Sequence, residues 1–517
     1  MLQISHLTMT QKQDQRVLIH DLSFTMNKGD RIALIGEEGN GKSTLLKYIF
    51  DPSLIREYCE CKGTRIIQEE RIGYLPQRLP EEYEDENVYA YLCRSDAFCS
   101  ADPSFLSETA RLVHCSVEDF YRGQTMGSLS GGEKVKLQLA SLLFEHPTVL
   151  LLDEPSNDLD LNTVKALEDL LLSFDGMVLF ISHDEVLLNH CANGVLHLEQ
   201  LKRKMDARST FRHQGYEDYI KERSDLFLKN TQKAEGERRM DALRTEKYER
   251  IRKSVEYDLR NVSRGDPHTG QLLKKKMKAV KSMGKRYEKE RQNMMKMPEQ
   301  EEAIMVFFPH SCRIPEGKKI LDFHLDQLCA PDRTLLAEHI DLQINGPRHV
   351  CIIGPNGCGK STLLKIIASE LLERTDIHAA YMPQNYEDLL DLSQTPLDFL
   401  GGTDKEKRTR AGLCLGSMKY TSDEMNHPMG DLSGGQRAKV LFLKMVLDEA
   451  NVLILDEPTR NFSPLSAPVI RQCLSQFQGT IISVSHDRMY MREVCDTFCE
   501  LTKDGLVPAA KENLTHI

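Results

Sequence analysis

The stretch Gly36-Glu-Glu-Gly-Asn-Gly-Lys-Ser-Thr-Leu-Leu-Lys47 governs the reading of this chain, because it returns as Gly354-Pro-Asn-Gly-Cys-Gly-Lys-Ser-Thr-Leu-Leu-Lys365. Both copies fit the pattern Gly-x4-Gly-Lys-Ser, a loop whose glycines let backbone N–H groups turn toward phosphate oxygens at the start of a helix. The cradle consists of Gly36, Glu37, Glu38, Gly39, Asn40 and Gly41 in the first copy. In the second it consists of Gly354, Pro355, Asn356, Gly357, Cys358 and Gly359. Lys42 and Lys360 are placed to reach β- and γ-phosphates. Ser43 and Ser361, followed by Thr44 and Thr362, are placed to hold Mg²⁺. The apolar run Arg31-Ile-Ala-Leu-Ile35 precedes the first loop and predicts a strand, with a helix from Lys42 after the turn.

The repetition continues in register. Leu129-Ser-Gly-Gly-Glu133 returns as Leu432-Ser-Gly-Gly-Gln436, Val149-Leu-Leu-Leu-Asp-Glu-Pro155 as Val452-Leu-Ile-Leu-Asp-Glu-Pro458, and Ile181-Ser-His-Asp184 as Val484-Ser-His-Asp487, each pair 303 residues apart. Such a constant offset marks a duplication. The expected domains are 1–210, a middle segment 211–300, and 301–517. Within each copy, apolar strands alternate with helices. This predicts an α/β fold with a mixed, largely parallel sheet covered on both faces.

Each Asp-Glu pair ends an apolar strand, where ligands of α/β sheets bind. Asp153 and Asp456 are expected to support Mg²⁺, and Glu154 and Glu457 to polarise an attacking water. His183 and His486 follow thirty residues after each Asp and are expected near the γ-phosphate or the water.

Composition excludes several classes. No stretch approaches the ~18–20 consecutive apolar residues of a membrane-spanning helix, and the amino terminus shows no secretory pattern. The 14 cysteines are scattered without C-x-x-C spacing, as expected of reduced thiols in a cytoplasmic protein. Net charge is −11, yet residues 211–300 hold 24 Lys+Arg against 15 Asp+Glu. A basic segment between acidic blocks points to a polyanionic partner. Two long helices are predicted there, about 216–258 and 268–297, joined by a turn at Arg264–Gly270. In the second, Leu273, Met277, Val280, Gly284, Tyr287, Arg291 and Met294 step 4-3-4-3-4-3, a coiled-coil seam that Gly284 and Arg291 interrupt. The first helix balances 11 basic against 11 acidic residues, whereas the second has 10 against 2. Lys274, Lys275, Lys276 and Lys278 concentrate that charge and suit contacts to nucleic-acid phosphates.

Together these motifs resemble the nucleotide-binding domains of ATP-binding cassette (ABC) proteins. Two cassettes joined by a basic helical hairpin resemble subfamily F. The resemblance implies that Ser130, Gly131 and Gly132 close on ATP held by Lys360, and Ser433, Gly434 and Gly435 on ATP held by Lys42. Gln77 and Gln384 look like the family's Q-loop glutamines, near Mg²⁺ and the water. The implied protein is a monomeric ATPase whose paired cassettes bind two ATP and Mg²⁺. Its linker would enter the ribosome at the tRNA exit site, near P-site tRNA and ribosomal RNA, for translation regulation or protection against antibiotics. The alternatives are the ATP-binding subunit of a transporter with a separate permease, and a chromosome or DNA-repair ATPase. Three departures from the family pattern stand out. The first loop carries Glu37-Glu38. The second D-loop, Thr459-Arg-Asn-Phe-Ser-Pro464, lacks the terminal Asp found in Ser156-Asn-Asp-Leu-Asp160. No aromatic precedes Arg16 or Arg333 to stack on a base.

Overall fold

The computed structural model describes residues 1–157, 159–261, 267–295, 297, 307–330 and 333–509. They form two compact units, one of Met1–Tyr216 with residues 301–517 and one of residues 217–300. The first unit holds both cassettes.

In the first cassette a six-stranded sheet runs in the order Ile72–Leu75, Val149–Asp153, Met177–Ile181, Arg31–Ile35, Gly194–Gln200, Asp206–Arg212. The first five strands are parallel and the last is antiparallel. The second cassette repeats this with Ala379–Met382, Val452–Asp456, Thr480–Val484, His349–Ile353, Thr497–Thr502 and Gly505–Ala509. Every residue of Val149–Asp153 and Val452–Asp456 is buried, which is why these strands read as unbroken apolar runs. Antiparallel strands complete each cassette, Val17–Met26, Leu2–Gln11 and Cys59–Ile67 in the first, Lys318–Cys329 with Leu335–Gly346 in the second. The expected α/β class with mixed, largely parallel sheets is thus present.

The strand–loop–helix turn fixes the phosphate loops. Helix Lys42–Phe50 buries Leu45, Leu46 and Ile49 against the sheet, each contributing about 1.5–3 kcal/mol. Its preceding residue, Gly41, has φ +87°, and Gly359 before helix Lys360–Leu372 has φ +98°, a backbone region that L side chains avoid. A Cβ on Gly36 would lie 2.3 Å from the Leu198 carbonyl oxygen.

Ion pairs join the cassettes. Arg471, buried, pairs with Glu185 at 2.7 and 3.2 Å and with Glu493 at 2.8 Å. Arg488 reaches Glu168 at 2.6 Å and Asp184 at 2.9 Å.

The second unit holds helices Tyr216–Asn261 and Pro267–Gln292. The second is shorter than predicted. It ends at Gln292, and the Met295 N–H donates instead to Glu237 at 2.8 Å, so Met294 lies beyond the helical seam. Part of the predicted turn at Arg264–Gly270 is helix. Residues 267–270 are already helical, with proline at the first helical position, and 262–266 lie outside the described residues. Both interruptions of the seam have partners on the first helix. Tyr248 lies on Gly284, where an added Cβ would fall 2.6 Å from the phenol oxygen. Arg291 reaches Asp241 and Thr245 at 2.9 and 2.8 Å. Lys274, Lys275, Lys276 and Lys278 are exposed, while Leu273 and Val280 beside them are buried.

Candidate functional site

Each phosphate loop brings the residues named from sequence to the carboxyl ends of its sheet. Lys42 Nζ donates to the carbonyls of Gly36 and Glu37 at 2.8 and 3.1 Å, and Lys360 Nζ to those of Gly354 and Pro355 at 2.8 Å each. Ser43 Oγ donates to Asp153 Oδ1 at 3.0 Å, and the Ser361 hydroxyl draws the Asp456 carboxyl down against the burial that raises it. Asp456 Oδ1 is buried without a hydrogen-bond partner, an arrangement that suits a cation. Burial raises the Asp153 carboxyl to about 6. Asn40 anchors its loop through the Leu198 carbonyl at 2.9 Å. Thr44 and Thr362 lie in the first turns of the two helices, and Cys358 is half-buried in its loop.

The two glutamates share an unusual backbone. Glu154 has φ +53° and Glu457 φ +52°, left-handed values that cost non-glycine residues of order 1–3 kcal/mol and cluster at functional sites. Their N–H groups still pair with the neighbouring strand, at Ile181 O (3.1 Å) and Val484 O (2.9 Å), which keeps the side chains at the sheet edge.

Their surroundings differ. Glu154 accepts from Gln77 Nε2 at 2.7 Å and from the Asn157 amide, and faces His183 Nε2 at 3.1 Å. His183 Nδ1 meets the Phe462 carbonyl of the other cassette at 2.7 Å. Acceptors on both ring nitrogens require an imidazolium. Burial opposes charge on both partners, yet their mutual attraction wins. It brings Glu154 down to about 2 and holds His183 above its ordinary value. Glu457 has no such cation. Among the described residues it accepts the His486 N–H at 3.2 Å and the Ser485 hydroxyl at 3.3 Å, and burial pushes it up to about 8 although Arg460 draws it the other way. His486 Nε2 stands 3.9 Å away, and burial, then Lys360, lowers it to about 4. Gln384 lies exposed just beyond strand Ala379–Met382.

Both signature segments open helices, Gly131–Phe144 and Gly434–Leu447. The reason is local: Ser130 and Ser433 are N-caps in capping boxes with Glu133 and Gln436. Gly131, Gly132, Gly434 and Gly435 therefore sit in the first turn, where free N–H groups and the helix dipole favour an anion.

At one of these helices the anion is already part of the chain. The Gly435 N–H donates to Glu38 Oε2 at 2.8 Å. Next to it, buried Glu37 accepts from the hydroxyls of Ser463 and Ser466 and pairs with Lys439 at 3.0 Å. Burial alone would raise Glu37, but Lys439 and the two hydroxyls bring it to about 2. Lys439 and Ser466 escape a motif search. The signal was the coincidence of an extra Glu in one loop and a missing Asp in the facing D-loop.

A family model described as ABC transporter matches residues 19–157 and 337–460, just over half of the chain. The ribosome protection protein VmlR of Bacillus subtilis is 28% identical over 96% of this chain and 85% of its own length. Human ATP-binding cassette sub-family F member 3 is 27% identical over 93% and 68%. A chain in the crystal structure of an archaeal ribosome recycling factor with a ribosomal stalk protein superposes with a TM-score of 0.61. It is 17% identical and covers 99% of this chain and 91% of that one, a likeness of fold. The chain belongs to the ABC transporter family, binds ATP and is an ATP hydrolase. Within the family it stands with the F subfamily. Among the described residues no helix is long and apolar enough to cross a membrane.

Proposed function

We propose that the chain is a ribosome-associated ATPase that holds two ATP between its cassettes, one on Lys42 and Ser433–Gly435, the other on Lys360 and Ser130–Gly132. The facing of Glu38 and Gly435 carries this reading, since it sets a phosphate loop of one cassette against the signature helix of the other. Ser43, Asp153 and Gln77 would hold Mg²⁺ at the first site, and Ser361, Asp456 and Gln384 at the second. The ion would neutralise phosphate charge there. Glu154 and Glu457 orient the attacking water, while His183 and His486 fix the glutamates and the terminal phosphate.

The relative named a ribosome protection protein supports the ribosome as partner. In this reading segment 211–300 reaches ribosomal RNA and P-site tRNA at the tRNA exit site, with Lys274, Lys275, Lys276 and Lys278 on backbone phosphates. Segments 1–210 and 301–517 act as the two jaws of a monomer working in the cytoplasm, in translation control or protection against antibiotics. The test is a trapped complex. Glu154→Gln with Glu457→Gln should lower ATP turnover about 10²–10⁴-fold, the range lost with a general base. With ATP it should co-sediment with ribosomes, and reversing the four lysines to Glu should abolish that while leaving nucleotide affinity intact. A trapped variant that stays at the top of the gradient would contradict the reading.

A further inference from the structure

The two phosphate loops differ where they meet the opposite cassette. Glu37 and Glu38 stand where the second loop has Pro355 and Asn356. Glu37 is anchored in the second cassette by Lys439, Ser463 and Ser466. The corresponding groups in the first cassette are engaged differently. Lys136 Nζ donates to His114 O at 3.1 Å, and Asp160 caps its own helix through the Thr163 N–H at 2.9 Å. The anchor is therefore one-sided.

It has a consequence for the next residue. With Glu37 fixed, Glu38 is held within reach of the signature helix, and its carboxylate takes the Gly435 N–H. A Cβ on Gly435 would lie 1.9 Å from Glu38 Oε1 and 2.2 Å from the Asn461 carbonyl oxygen, so the approach is close on both sides. A tethered anion competes at high effective concentration with any free one. It also repels a second anion brought beside it in a partly dry cleft.

We propose that Glu38 competes with the terminal phosphate of bound nucleotide for the Gly435 N–H, so that the Lys42 site prefers triphosphate over diphosphate less strongly than the Lys360 site does. The inference rests on the reading that nucleotide lies between loop and signature. A diphosphate ends short of the signature and leaves the Glu38–Gly435 bond intact. A triphosphate must displace Glu38 and accept its repulsion. Glu38 is thus a specificity-determining residue for the terminal phosphate, and Glu37 its positioning residue.

The test uses the full chain with Lys360→Ala, so that fluorescent ATP and ADP analogues with Mg²⁺ report the Lys42 site alone. Glu38→Asn installs the residue found at the equivalent position of the other loop, and Glu38→Gln keeps the size while removing the charge. Both should tighten the ATP analogue about tenfold and change the ADP analogue less than twofold. Equal shifts for the two analogues, or no shift, would overturn the proposal. Ser433→Arg added to Glu38→Asn separates the causes of failure. If it weakens the ATP analogue while Glu38→Asn alone changes nothing, nucleotide does reach the signature and the competition is wrong. If it leaves ATP binding untouched, the sandwich reading falls and the proposal with it.

Discussion

The Lys42 side and the Lys360 side of the paired cassettes carry the same motifs but are held together by different chemistry. On the Lys42 side a buried glutamate bridges the cassettes, a second glutamate caps the facing helix, and His183 links Glu154 to the opposite D-loop carbonyl. On the Lys360 side the loop offers Pro355 in place of Glu37, the facing Asp160 is spent on its own helix, and Glu457 has no histidine cation beside it. Two departures in a duplicated sequence are here one feature. An aspartate at the position of Ser463 would face Glu37 in a buried site, where like charges cannot both ionise cheaply. Serine there donates a hydrogen bond instead. The extra carboxylate and the missing one are two halves of a single contact.

Restoring the lost aspartate should have the largest effect on the Lys42 side. Ser463→Asp should destabilise the paired cassettes by at least the ~3–5 kcal/mol expected when a buried charge loses its compensation. Adding Glu37→Gln should recover most of it, since one carboxylate is then gone. Chemical denaturation of the two singles and the double gives the coupling, and additive losses would show that Ser463 and Glu37 do not act together.

A smaller effect follows from pH. The folded pKa of Glu37, about 2, lies below its ordinary 4.5. A depressed carboxyl contributes stability above its unfolded pKa and loses it as pH falls through the folded value. The contribution should be full above about pH 4.5 and disappear toward about pH 2. Glu37→Gln should flatten that part of the stability profile, and between pH 6 and 8 it should change the level but not the slope. The smallest effect belongs to the other side. Asp160→Ala removes only a helix cap and should cost about 1 kcal/mol. A loss as large as that of Ser463→Asp would erase the distinction between the sides.

Much of this was legible in the sequence, because the duplicated motifs report local physics. A glycine loop after an apolar strand, Asp-Glu at a strand's end and Ser-Gly-Gly at a helix start each depend on a few adjacent residues. Hence both cassettes, both phosphate loops and the two linker helices could be read in order. What depends on distant residues could not. Lys439 and Ser466 lie some 400 residues from Glu37, with nothing local to mark them. The sequence pattern carries the second linker helix past Gln292, whereas the chain there turns to Glu237 on the partner helix. Gly284 and Arg291 looked like flaws in a seam because Tyr248 and Asp241, which complete it, come from the other helix.

With Glu37 and Glu38 already bonded to the second cassette, the Lys42 side is expected to be closed before ATP binds, and the Lys360 side to close when ATP arrives. Paired site-specific labels spanning each side, read as distance distributions with and without Mg²⁺ and ATP in the Glu154→Gln, Glu457→Gln chain, test it most directly. The Lys42-side distance should stay fixed and the Lys360-side distance should shorten when ATP is added. Equal movement on both sides, or movement on the Lys42 side alone, would contradict it.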